Sequence, residues 1–407
     1  MKSLIRSLMN GESPDPDAFS PDGPAFLARL QDYHINDQPL LECIRRTVEA
    51  LFEDPPPEPE GEGATMRPWW SPTPAACLAA LMRHAALPPV ADPDGGMPPH
   101  AKQSASMARE LLRTAGCPFE VREHTVALIR NARKPDSLLG SGALAETYMQ
   151  FACGLDLRTL YSLRMAEAHV ANDEDEQGRL EAFHEHVEQL GVFAAPPAPP
   201  LSPQEVAELG YDDPAERHRA LNALRYFRLV ARMTEPDWYA ERLREERGRE
   251  PCRLNVVVGP AGSGKSTWVH EHLSDTVIVS SDRMRRELTG DPADQSQNYL
   301  VFQRCMDRIR EELHRGREVT FDATNYSEKL RTMPLQAGRW SGAEICSYLM
   351  DVGLREALRR NEERERRVPE DVIRRHYRGL ELPALYEADR HFVVGPDGKA
   401  RQYWPDG

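Results

Sequence analysis

The stretch "GPAGSGKST", residues 259–267, matches G-x-x-x-x-G-K-[ST] and constrains this 407-residue chain more than any other feature. It follows the apolar run "LNVVV" and opens a stretch of helical character, the strand–loop–helix setting the pattern needs. Gly259, Gly262 and Gly264 permit a turn through Pro260, Ala261 and Ser263 whose backbone N–H groups, all but that of Pro260, which has none, point inward at phosphate oxygens. The helix that follows adds the positive end of its dipole. Lys265 then reaches the β and γ phosphates, Ser266 offers a hydroxyl to Mg²⁺, and Thr267 completes the motif. The spacing predicts a nucleoside triphosphate site.

The surrounding pattern predicts the layer structure. Short apolar runs at 254–259, 276–280, 318–322, 344–352 and 391–395 alternate with helical stretches. That is the signature of an α/β domain with a parallel sheet, whose strands are covered on both faces. A last short strand falls in "GKARQYWPDG", with Trp404 expected to pack.

A phosphate loop does not name the acceptor of the phosphoryl group. In open α/β sheets ligands gather at the carboxyl ends of strands, and "SSDRMRREL" (280–288) puts Asp282 just past the second one. A carboxylate there can orient an acceptor hydroxyl and take its proton. Arg285, three residues on, lies on the same helical side and can hold a phosphate of the acceptor. The same letters also suit an N-cap aspartate with a solvated basic first turn, a role that fits Arg283 and Arg286 in either case. "FDATN" (321–325) places Asp322 at the third strand's end, a candidate for coordinating Mg²⁺ through water or for fixing the active-site arginines, with Asn325 and Arg331 after it. In "LRRNEERERRVPEDVIRRHYR" (358–378), Arg360, Arg364 and Arg367 recur at i, i+4 and i+7, on one face of a helix that Pro369 ends or restarts. Such a face can close over a triphosphate; its interleaved glutamates equally suit a salt-bridged surface helix.

Taken together, "GPAGSGKSTW", "SSDRMRREL", "FDATN" and "RRNEERERRVPEDVIRRH" resemble the polynucleotide 5′-kinase family of P-loop phosphotransferases over about residues 251–395. The resemblance implies transfer of the γ-phosphate of ATP or another NTP, with Mg²⁺, to a 5′-OH end of RNA or DNA, in RNA repair. It implies Lys265 and Ser266 on triphosphate and metal, Asp282 as general base, Arg285 on the acceptor's neighbouring phosphate, Asp322 and Asn325 in support, and Arg364 on the donor with Arg360 or Arg367. Related kinases of small molecules or tRNA-linked acceptors share much of this pattern. A non-catalytic NTP-binding regulatory subunit is the third reading, against which Asp282 and the arginines speak.

Charge divides the chain. Of the net −14, residues 1–250 hold the whole acidic excess, with 40 acidic against 26 basic residues, while 251–407 balance at 25 of each. The acidic half is the poorer nucleic-acid face and the better dock for a partner such as an RNA ligase or another repair protein. Two Pro-rich stretches, 54–64 and 194–203, read as linkers or loops, and give an organisation of 1–193 helical, 194–250 linker and connecting helices, and 251–407 kinase. The seven cysteines form no C-x-x-C pair, the apolar N-terminal patch is too broken for a signal peptide, and no run suits a membrane helix. A cytosolic protein is expected.

Helical stretches at 101–116, 118–132 and 155–171 dominate the first half, and 25–190 resemble, weakly, the HD-type phosphohydrolase domains that occur fused before such kinases. Those domains bind metal through H…HD…D. Here His84 precedes Ala85 rather than aspartate, Asn131–Ala132 stand where a later histidine is expected, and Glu167 replaces the last aspartate; His100 survives, and upstream Arg45 or Arg46 stands in place of histidine. The expectation is a degenerate, metal-free HD-like domain used as scaffold or docking surface.

Overall fold

A computed structural model describes residues 2–10, 12, 30, 33–35, 38–56, 72–84, 100–247, 252–291, 294, 296–364 and 366–403. Trp404, most of the Pro-rich stretch 54–64 and the segment 85–99 lie outside these. Two compact units are present, 1–197 and 198–407.

The first unit is mostly helical. Helices Leu40–Glu53, Pro72–Met82, Ala101–Ala115, Phe119–Asn131 and Leu157–Ala171 share one core, into which Leu40, Val48, Leu78, Leu112, Leu128 and Leu160 are fully buried. Ala75 through Met82 are buried at every position, which makes Pro72–Met82 the central helix and explains its lack of a polar stripe. Gly116 ends Ala101–Ala115 in the left-handed conformation (φ +80°), as the sequence predicts. A two-residue hairpin, His34–Ile35 with Gln38–Pro39, is the strand pairing among the described residues that no periodicity announced.

Among its described residues the second unit holds six strands, β1 (Arg253–Val258), β2 (Val277–Ser280), β3 (Val319–Asp322), β4 (Glu344–Met350), β5 (Arg390–Val394) and β6 (Ala400–Gln402). They lie in the order β2-β3-β1-β4-β5-β6, the first five parallel and β6 antiparallel to β5. The helices are α1 (Pro203–Glu208), α2 (Pro214–Leu229), α3 (Pro236–Glu246), α4 (Lys265–His272), α5 (Ser281–Thr289), α6 (Asn298–His314), α7 (Glu328–Trp340), α8 (Leu354–Glu362) and α9 (Glu370–Gly379). Alternate residues of β1 show how helices cover both faces. Val257 packs with Trp268 and Val269 of α4, whereas Leu254 lies against Gly338 of α7, where an added Cβ would come within 2.8 Å.

The helices read as connectors belong to this unit. Asn222 of α2 donates Nδ2 to the Ala388 carbonyl at 2.7 Å, and Arg242 of α3 donates to the Trp340 carbonyl at 3.0 Å. Arg339 completes the junction, gripping Asp389 with paired bonds of 2.7 and 2.8 Å while Asp389 also accepts from the Ile345 N–H. Among the described residues no helix is long and apolar enough to cross a membrane.

Candidate active site

Register brings the chemistry to one edge. Val257 of β1 pairs with Asp322 of β3, and Asp322 with Ser280 of β2. Two residues past Val257 the phosphate loop begins at Gly259, and two past Ser280 stands Asp282. Both therefore leave the sheet at one level, at the carboxyl ends of parallel strands.

The loop is shaped by close approach. Gly262 (φ +82°) and Gly264 (φ +90°) adopt a conformation that other residues resist, and a Cβ on Gly262 would sit 2.7 Å from the Ala357 carbonyl oxygen of α8. Lys265 opens α4 and is buried, its Nζ donating to the Pro260 carbonyl at 2.7 Å. Burial pushes its pKa down to about 8; Asp322 and Asp282 pull it back up, and Arg364 opposes them. The exposed Ser266 hydroxyl donates to Asp322 Oδ2 at 2.7 Å. These hard oxygen donors are of the kind that fits Mg²⁺. Asn325, after β3, is buried with φ +39° and donates Nδ2 to the Val257 carbonyl at 3.0 Å, while Gly259 N–H donates to the Thr324 carbonyl at 3.1 Å. Asn325 thus fixes the base of the loop.

Past β2, Ser280, not Asp282, caps α5, its hydroxyl accepting from the Arg283 N–H at 3.5 Å. That leaves the Asp282 side chain 68% exposed, while Arg285 beneath it is 6% exposed. Arg285 donates from Nη1 to Asp282 Oδ1 at 2.9 Å and from Nη2 to Asn298 Oδ1 at 2.8 Å. Asn298, the first residue of α6, is a partner that sequence reasoning missed, because the contact crosses the connection between α5 and α6. Arg283 is solvated and loosely paired with Glu287, and Arg286 is exposed.

The arginines at 360, 364 and 367 do not share a helical face. α8 ends at Glu362, and the Asn361 side chain staples the turn that follows, accepting from Val368 N–H and donating to the Val368 carbonyl, both at 2.9 Å. Pro369 is the N-cap of α9. Arg360 reaches the phosphate loop, donating Nη1 to the Ser263 carbonyl at 3.3 Å and Nε to Glu356 at 2.7 Å. Arg364 lies in the turn, and its charge is felt at Lys265. Arg367 is exposed, just before Pro369. Arg331 is 1% exposed and bonded to Glu387 and the Asn325, Glu381 and Leu382 carbonyls, which makes it structural. A further neighbour, His376 of α9, stacks on Tyr326 with centroids 4.5 Å apart and accepts the Ala261 N–H at 3.4 Å; burial, with Lys265 nearby, holds it neutral, its pKa lowered to about 4. No sequence signal separates it from the other polar residues of that helix.

In the first unit His84 and His100 come together, a ring nitrogen of each 3.0 Å apart, and Glu167 pairs with Arg83 and Arg164. Burial and the Arg83 charge push the His84 pKa well down. Among the described residues no group of three or more His, Cys, Asp or Glu side chains converges as a metal site would.

Comparison with known proteins bears on the second unit. A family described as "AAA domain" matches residues 254–383, about a third of the chain. These residues form a P-loop, kinase-like domain. Among solved structures, the chain is similar to one in "Structure of the Pnkp1/Rnl/Hen1 RNA repair complex", with 21% identity, a TM-score of 0.30, and coverage of 33% of this chain and 46% of that one. It thus spans less than half of that relative. It is also similar to a sugar kinase from Janibacter sp. HTCC2649, with 17% identity, a TM-score of 0.28, and coverage of 36% of this chain and 86% of that one. No curated protein matches.

Proposed function

We propose that the second unit is an NTP-dependent 5′-hydroxyl kinase acting on the ends of RNA or DNA in repair. The observation that carries the reading is an exposed carboxylate, Asp282, held by a buried arginine, Arg285, at the sheet edge that also bears Lys265 and the Ser266–Asp322 pair. This acid–arginine pair beside the phosphate loop is what the reading turns on. An acceptor alcohol needs both, one group to take its proton and one to hold the phosphate that a polynucleotide end always carries next to the reacting hydroxyl.

In this reading the acceptor 5′-oxygen attacks the γ-phosphorus, its proton passes to Asp282, and the bond to the departing nucleoside diphosphate breaks. Lys265 and the loop N–H groups bind the donor phosphates; Arg360 and Arg364 neutralise charge developing on the transferred group, with Arg367 the least engaged of the three. Ser266, with Asp322 through water, would hold Mg²⁺, which when bound would supply further charge neutralisation. The first unit is read as a degenerate HD-like domain, because arginines satisfy the acid that a metal would need and the two histidines satisfy each other. Its acidic surface suits a repair partner, such as a ligase, and the setting is cytosolic.

The test is transfer of labelled γ-phosphate from ATP to a 5′-OH RNA oligomer, with the 5′-phosphorylated oligomer as control. Label should enter the first and not the second. Turnover of a small hydroxylated acceptor with inert oligomers would overturn the polynucleotide assignment, and ATP hydrolysis without transfer would overturn the kinase.

A further inference from the structure

Tyr299 has the most exposed of the large hydrophobic side chains among the described residues, at 73%. It is the second residue of α6 and follows Asn298, whose side chain holds Arg285. Its hydroxyl accepts a hydrogen bond from Gln303 Nε2 at 2.7 Å, one turn along α6. That bond restrains the ring while leaving its faces uncovered. Leu300 beside it is also exposed, whereas Val301 is fully buried and seats this turn on the core. An aromatic ring left in water forgoes the free energy that packing would recover, and Tyr299 stands one residue along α6 from the side chain that holds Arg285.

We propose that Tyr299 is a stacking platform for the nucleobase at the 5′ end of the acceptor, an inference that rests on the polynucleotide reading above. Arg285, buried and fixed by Asn298, sets where the acceptor's phosphate lies, and the neighbouring ring offers a π-face to the base attached to the same backbone. Every base has such a face, so the contact is tolerant of sequence, as end-phosphorylation of varied strands requires. It also favours a nucleotide over a compact polyol.

Four measurements test it: wild type and Tyr299→Ala, each with a 5′-OH oligonucleotide and with the same oligonucleotide bearing an abasic 5′-terminal ribose. Base–aromatic stacking predicts that either change alone raises the acceptor KM by about 5- to 100-fold. The two together should cost no more than one, because the same contact is removed. Tyr299→Phe should keep most of the affinity, and the KM for ATP should stay within about twofold. An unchanged acceptor KM in Tyr299→Ala, or penalties that multiply independently, overturns the platform. Wild type that phosphorylates neither oligonucleotide overturns the polynucleotide reading itself, visibly and before any variant is made.

Discussion

Two side chains at the site carry sharp expectations. Asp282→Asn keeps an oxygen for Arg285 but cannot accept the acceptor's proton, so kcat should fall by at least about 10² while ATP affinity holds within about threefold. Near-wild-type turnover would remove Asp282 from its role. Lys265 gives a pH prediction. Its pKa of about 8 in the free protein, against an ordinary 10.5, means that the cation is lost as pH rises through 8. A bound triphosphate favours the charged form, so nucleotide binding takes up a proton above pH 8, and affinity should fall by up to about tenfold per pH unit from there toward 10. The stability of the nucleotide-free protein moves the other way. The unfolded chain holds that proton from 8 to 10.5 when the folded one does not, so this group makes the fold more stable as pH rises through that window. Calorimetry at pH 9 in buffers of different ionisation enthalpy reads the uptake directly, and its absence would show that the triphosphate leaves Lys265 as it is.

At the scale of elements, what could be read from the sequence follows how local its cause is. The strands were legible because parallel strands buried on both faces are continuous apolar runs, as Val256, Val257 and Val258 show. The phosphate loop was legible because its glycines answer to backbone geometry. The arginine segment was not. Residues 362–367 are all glutamate and arginine, good helix formers that extend the period of α8 on paper, and the break depends on the Asn361 side chain closing a seven-residue loop on Val368. The Arg285–Asn298 bond is equally non-local, so the sequence sets Asp282 and Arg285 one turn apart but gives no sign of Asn298. The staple has a measurable consequence. Asn361→Ala removes two hydrogen bonds at a buried site, a loss of about 1–3 kcal/mol locally. Amide exchange should quicken across 362–368, and the KM for ATP should rise about 3- to 10-fold while the acceptor KM stays put. Unchanged exchange would mean that packing, not the staple, holds the turn.

At the scale of the whole molecule, charge decides how a nucleic acid can be held. Residues 1–197 carry 29 acidic against 17 basic residues, while 198–407 carry 36 against 34. Many basic side chains of the second unit are already spent: Arg308, Arg315 and Arg317 surround Glu312, Arg310 pairs with Asp307, Arg359 with Glu356, and Arg374 with Glu370. Such pairs add little stability each, but they cancel the long-range field that a basic track would project. On the polynucleotide reading, a protein built this way would grip the end of a strand at the site and gain little from the strand beyond it. Binding of a 5′-OH RNA should therefore weaken only mildly with salt, with a log–log slope no steeper than about −2, equivalent to two or three phosphate contacts at roughly −0.7 each for a single strand. Oligomers of about three nucleotides should be phosphorylated with nearly the efficiency of 20-mers. A slope steeper than about −4, or efficiency that climbs steadily with length, would require an extended basic surface; with the charges paired as they are, a bound partner would then have to provide it.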